Sequence, residues 1–198
     1  MSQAVVLASN NRGKLAELSE ILAPFRLIVH PLSEFTPLSA EETGTTFHAN
    51  ALLKARFAAR ASGLPAIADD SGIEVDALGG APGVFSARFA GAGASDAANN
   101  EKLLTALNGI SEHLRTARFR CVLAYVNDEK ADPIYADGVW EGRVLEAARG
   151  SQGFGYDSLF LPNGERISAG EMTREAKNRV SHRAQALREL AAGLFVKV

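Results

Sequence analysis

Two adjacent carboxylates, Asp69 and Asp70, end a short apolar run, Ala66-Ile67-Ala68, and are followed by Ser71 and Gly72. Glu74 and Asp76 come next, then a loop holding Gly79, Gly80, Pro82 and Gly83. Acids at the end of a buried strand are costly unless they are paired, hydrogen-bonded or bound to a cation. Glycine-rich loops let backbone approach a ligand closely. The stretch therefore reads either as a metal-and-water site or as a strand ending in a polar turn, because Asp, Ser and Gly are ordinary turn residues. If the strand continues through the pair, the two side chains point to opposite sides. One acid would then face a site and the other would make structural hydrogen bonds; the pattern alone leaves open which. A hard cation such as magnesium takes carboxylate, water and phosphate oxygens and needs only one or two protein carboxylates. Glu41 or Glu42 could join one Asp of the pair. Zinc has little support, since there is no HExxH, a single cysteine, Cys121, and four scattered histidines, His30, His48, His113 and His182.

Basic and aromatic residues add a second set of candidates. Lys14 and the pair His182-Arg183 fall at expected helix starts, where positive charge opposes the helix dipole by roughly 0.3–1 kcal/mol. Either the surface tolerates that cost or these groups face an anion or a carbonyl oxygen. Asn50 and Lys54 lie one turn apart and share a helix face. Phe154 and Tyr156 are interleaved with Gly153 and Gly155. An aromatic on such a loop is a core plug or a platform for a base, whose π-face any ring can cover.

The elements that must position these groups follow from periodicity. A strand over 4–8, the polar turn Ser9 to Lys14, a helix with Leu15, Leu18, Ile21 and Leu22 on one face, and a strand over 26–30 open the chain. A helix start after a strand suits an anion. An alanine-rich helix spans 46–62, and Ser95 caps a helix running to Leu107. The clearest strand is 116–126, whose alternation makes Cys121 a packing residue. A returning strand covers 134–145. Asn163-Gly164 signals a hairpin between 158–162 and 165–167. Ser168 and Glu171 have capping-box spacing, and a last helix follows Ser181. This order favours an α/β fold, a mixed sheet with helices on its faces.

The whole-chain numbers bound the function. A chain of 198 residues suits one domain, or two closely fused lobes. The formal net charge of −2 offers no global field for a nucleic-acid polymer. One cysteine allows no intrachain disulfide, no run is long enough for a membrane span, and the first apolar run is too short for a signal peptide. A cytoplasmic protein is expected.

Together the segments resemble the inosine triphosphate pyrophosphatases, also called dITP/XTP pyrophosphatases. The match is carried by SNNRGK at Ser9 to Lys14, AEETGTTFHANALLKA at Ala40 to Ala55, ADDSGIEVDALGGAPGVFSARFAG at Ala68 to Gly91, GFGYDSLF at Gly153 to Phe160 and SHRAQAL at Ser181 to Leu187. It covers nearly the whole chain, with Ser9 a common exchange for threonine. The resemblance implies a single domain over 1–198. Its elongated mixed β-sheet would be flanked by helices, with two lobes and a central nucleotide-binding cleft, and two chains would form a homodimer. It implies magnesium-dependent hydrolysis of ITP, dITP or XTP to the monophosphate and pyrophosphate. Carried over by position, Ser9, Asn10, Asn11, Arg12, Gly13 and Lys14 would hold the triphosphate. Asp70 would be the catalytic carboxylate and a metal ligand, Glu41 the second metal ligand, Lys54 a phosphate-facing catalytic group and Ser71 a substrate contact. Phe154, Gly155, Tyr156 and Asp157 would line the nucleoside pocket, with Lys177, His182 and Arg183 reading the base. The rival readings are a related pyrophosphatase for pyrimidine or modified-base triphosphates, and a nucleotide-binding module without turnover.

Overall fold

The computed structural model describes residues 3–9, 11–22, 25 and 27–194, except the side chains of Gln3 and Arg12. Asn10 and the Arg12 side chain, two of the expected triphosphate contacts, therefore lie outside the described residues. Six strands form one sheet in the order β2-β1-β3-β4-β5-β6. They are β1 (Gln3–Leu7), β2 (Leu27–Pro31), β3 (Ala66–Val75), β4 (Thr116–Val126), β5 (Ile134–Val144) and β6 (Phe160–Pro162). β1 runs parallel to β2 and to β3, while β6 runs antiparallel to β5, so the sheet is mixed as expected. The helices are α1 (Arg12–Leu22), α2 (Phe47–Ser62), α3 (Asp96–Ala106), α4 (Arg174–Val180) and α5 (His182–Leu194).

Local chemistry sets the boundaries. The Thr46 hydroxyl accepts the Ala49 N–H at the start of α2, and Gly63, at φ 69°, ends it. Ser95 does the same for α3 through Ala98 N–H. Each such cap contributes about 1 kcal/mol. Ser168 and Glu171 form the expected capping box, which opens only the short 3-10 turn Ala169–Glu171. The expected hairpin at Asn163-Gly164 does not form. Residues 165–167 make no strand, because Arg149 takes the Arg166 carbonyl at 3.0 Å and Asn163 N–H goes to Glu141 of β5 at 3.0 Å.

The chain divides into two compact units. The first takes Met1–Asp70, Cys121–Gly138 and His182–Val198. Its core gathers Val5, Leu7, Leu18, Leu22, Ile67, Cys121, Leu123 and Leu187, with α1 packed on α5. Cys121 is a packing residue, as its place in the alternation requires, and burial pushes its thiol pKa well up. The second unit takes Ser71–Arg120 and Val139–Ser181. Its core centres on Ile73, Phe119, Trp140, Tyr156 and Phe160, with the Phe119 and Phe160 ring centroids 4.6 Å apart. Truncating such a ring to alanine costs about 3–5 kcal/mol. The strand alternation of β4 feeds both cores: Ala117 and Phe119 serve the second unit, Cys121, Leu123 and Tyr125 the first. Among the described residues no helix is long and apolar enough to cross a membrane.

Candidate active site

In the first unit, β3 carries Asp69 and Asp70 into two different clusters. Strand geometry sends successive side chains to opposite faces. Asp69 Oδ2 meets the Lys14 ammonium at 2.8 Å and the Arg183 guanidinium at 3.4 Å. Arg183 is held in turn by Glu17 of α1 at 2.8 Å. Burial alone would push the Asp69 pKa up, but the charges of Lys14, Arg183 and Lys54 outweigh it and hold the carboxyl far below the ordinary range.

Asp70 is held from α2. Lys54 donates to Oδ1 at 2.6 Å and Asn50 to Oδ2 at 3.3 Å. Lys54 also donates to Glu42 at 3.0 Å. Here burial wins: it raises the Asp70 pKa, and the attraction of Lys54 only offsets part of that rise. Lys54 itself is disfavoured as a cation by burial, yet Asp70, Asp69 and Glu42 together keep its pKa above the ordinary value. The acid brought beside this ammonium is Glu42. Its neighbour Glu41, the expected second metal ligand, is exposed and lines a surface cavity of about 560 Å³ with Leu53, Arg56, Phe57 and Arg60.

The Ser9 to Lys14 turn is shaped by its own side chains. Asn11 caps α1 by accepting the Lys14 N–H at 3.1 Å, and the Ser9 hydroxyl accepts Asn11 N–H at 3.2 Å. At the start of α5, His182 is fully buried. A Cβ on Gly138 would lie 1.9 Å from the His182 carbonyl oxygen. Gly138 therefore allows a close approach of α5 to β5.

In the second unit, the loop after Gly153 is organised by Asp157. Its Oδ2 accepts Lys177 Nζ at 2.6 Å and the Phe154 N–H at 2.9 Å. Both charged residues are about 3% exposed. Lys177 Nζ also sits 4.9 Å from the Phe154 ring centroid. Asp96 and Asn100 of α3 hold Gly155, accepting its N–H at 2.7 Å and donating to its carbonyl at 3.0 Å. The two loop aromatics divide the roles left open by the sequence. Tyr156 is a core residue whose hydroxyl donates to Ser86 O at 2.8 Å, whereas Phe154 is only half-buried. Ser71 is half-buried at the start of this unit. Next to it, Gly72 admits the Ser86 turn: a Cβ there would lie 2.4 Å from Ser86 Oγ and from Gly83 O.

Of the candidates the sequence singled out, the structure places Lys54 beside Asp70 and Lys14 beside Asp69. Sequence reasoning did not identify Asn50, Glu17, Asp96 or Ser86 as the partners that hold the site residues. Only the i,i+4 spacing of Asn50 and Lys54 pointed toward one of them.

The site can be compared with known proteins. The Ham1 family model matches residues 5–193. A dITP/XTP pyrophosphatase of Methylococcus capsulatus is 53% identical over 98% of this chain and 97% of its own. One from Salmonella typhimurium is 51% identical over 97% of this chain and 98% of its own. Among solved structures, a HAM1 protein from Coxiella burnetii superposes with a TM-score of 0.90 at 44% identity, covering 98% of this chain and 100% of that one. The Staphylococcus aureus Ham1 protein gives 0.85 at 39% identity, covering 97% and 98%. With a family model along almost its entire length and relatives above half identity, this chain belongs to the Ham1 family.

Proposed function

We propose that this protein hydrolyses the triphosphates of non-standard purines, ITP, dITP and XTP, to the monophosphate and pyrophosphate. Relatives bearing the name dITP/XTP pyrophosphatase match it over nearly their full length. The observation that carries the chemistry is the cluster of Asp70, Lys54 and Glu42, in which burial keeps the Asp70 carboxyl proton-hungry. A carboxylate with a raised pKa is a suitable general base for a water molecule. Lys54 supplies positive charge beside it for a phosphate oxygen, and phosphoryl-type displacement depends mainly on such positioning and neutralisation.

The donor set fits magnesium. Asp70 and Glu42 both pair with the Lys54 ammonium. Among the described residues no group of three His, Cys, Asp or Glu could hold a metal; magnesium takes most of its ligands from water and phosphate. Asp70, with Glu42 or its neighbour Glu41, would hold the ion, which when bound would neutralise triphosphate charge. Lys14 and the Ser9–Lys14 turn are assigned to the triphosphate. Phe154 offers a stacking face, with Lys177 as a donor over the same ring. Hypoxanthine and xanthine present an oxygen where adenine has an amino group; a fixed donor donates to the first and leaves the second badly paired. His182 and Arg183 are assigned to the same reading, in a homodimeric cytoplasmic enzyme.

The test is ITP turnover with and without magnesium, with pyrophosphate measured directly against GTP, dTTP and UTP as substrates. Orthophosphate as the product, preference for a pyrimidine, or binding without turnover would each overturn the proposal.

A further inference from the structure

Asn50 is fully buried within α2, although asparagine is a poor helix former and is mostly exposed in folded proteins. Its side chain is used at both ends. The carbonyl accepts the Gly44 N–H at 2.8 Å, and the amide donates to Asp70 Oδ2 at 3.3 Å. The Gly44 bond identifies which end of the amide is oxygen, so the NH2 group must be the one facing Asp70. One turn along the helix, Lys54 repeats the arrangement with charge: it joins Glu42, from the loop that holds Gly44, to the other oxygen of Asp70. The loop can come this close because residue 44 is glycine. A Cβ there would lie 2.6 Å from Asn50 Oδ1 and 2.8 Å from the Ala49 Cβ.

We infer that Asn50 is a positioning residue for the hydrolysis: with Lys54 it fixes the rotation of the Asp70 carboxylate and locks the Glu42 loop to the same helix face. A carboxylate held at one oxygen can still turn about its Cβ–Cγ bond, which is a broad, soft torsion. Donors at both oxygens remove that freedom. Misplacement of a reacting group by about 1 Å costs on the order of a hundredfold in rate, so the second donor matters to turnover even though it need not touch substrate. The inference rests on reading Asp70 as the catalytic carboxylate.

Two substitutions test it. Asn50→Ala removes both bonds. Asn50→Asp keeps the volume and the acceptor for Gly44 but turns the donor facing Asp70 into an acceptor. For each folded variant, kcat is expected to fall about 10–100-fold, the range for outer-shell partners of ligating carboxylates, while KM for ITP stays near the wild-type value. A space-filling role would instead leave kcat unchanged in Asn50→Asp; wild-type kcat in either variant overturns the inference. If Asn50→Asp unfolds through carboxylate repulsion, the exchange Asn50→Asp with Asp70→Asn restores a donor–acceptor pair. Its melting temperature should lie above the sum of the single effects; strict additivity would show the two side chains uncoupled and also overturn the inference. Asp70→Asn alone keeps the two failures apart. Full activity there removes the active-site reading and the inference with it, whereas an inactive Asp70→Asn beside a fully active Asn50→Ala removes the inference only.

Discussion

Asp69 and Asp70 are the same residue type, adjacent on one strand and each no more than 5% exposed, yet burial loses at the first and wins at the second. The difference lies in the company each keeps. Asp69 sits among Lys14, Arg183 and Glu17, so the named cluster has two cations and two anions. Asp70 sits among Lys54, Glu42 and the neutral Asn50, where the charge of Glu42 works against that of Lys54. The carboxyl beside two cations is kept ionised, whereas the one that also faces Glu42 retains affinity for a proton. Neighbouring titratable groups driven apart in pKa commonly divide acid–base roles in this way.

The comparison can be broken at either side. The largest effect is expected from Asp70→Asn, which should keep the fold and nucleotide binding while kcat falls by about 10²–10⁴, the range for loss of a general base. Pyrophosphate release and a melting curve on one preparation check this, and an active variant would remove Asp70 from the chemistry. Asp69→Asn should act on stability, by about 3–5 kcal/mol, because it removes the buried carboxylate that Lys14 and Arg183 share. Urea unfolding measures it; wild-type stability would mean that the balanced cluster is not structural.

Acid sharpens the contrast. The depressed pKa of Asp69 gives stability that is complete above the unfolded value of about 3.9 and is lost as pH falls through the folded value. The raised pKa of Asp70 has the opposite sign: its contribution is present below about 3.9 and is lost as pH rises through the folded value. Unfolding midpoints followed from acid to neutral pH should show Asp69→Asn flattening the fall on acidification and Asp70→Asn flattening the decline above it. Identical profiles for the two variants would erase the distinction. The smallest effect belongs to the exposed Arg60–Glu129 pair, 3.5 Å apart. Arg60→Ala should cost no more than about 1 kcal/mol, a baseline for ion pairs that water already serves.

Much of this was legible from local sequence because the signals are local. The Ser95 cap, the alternation of β4 and the opposite facing of Asp69 and Asp70 need only a few residues of context. The resemblance supplied the grouping of distant segments. Neither source named Asn50 as a partner of Asp70, since that contact joins residues twenty apart through a helix and a strand. Glu42 rather than Glu41 reaches Lys54 through the path of an irregular loop, which periodicity does not describe. The Asn163-Gly164 turn forms, with Glu165 N–H on Pro162 O at 3.2 Å, but no second strand follows it, and Arg149 takes the Arg166 carbonyl instead.

The pairing of β1 with β3, Val6 opposite Ala66 and Leu7 opposite Ile67, has a consequence beyond sheet geometry. A strand has a side-chain period of two, so a slip by one residue turns every side chain to the other face. A slip forward by one residue would put Asp70 where Asp69 now meets Lys14 and Arg183, and Ser71 where Asp70 now meets Lys54. The Lys54 cluster would lose that carboxylate with no change of sequence. Which side chain stands beside Lys54 is thus written in the backbone ladder upstream, where Ala8 N–H meets Ile67 O at 2.8 Å and Val6 N–H meets Pro65 O at the same distance.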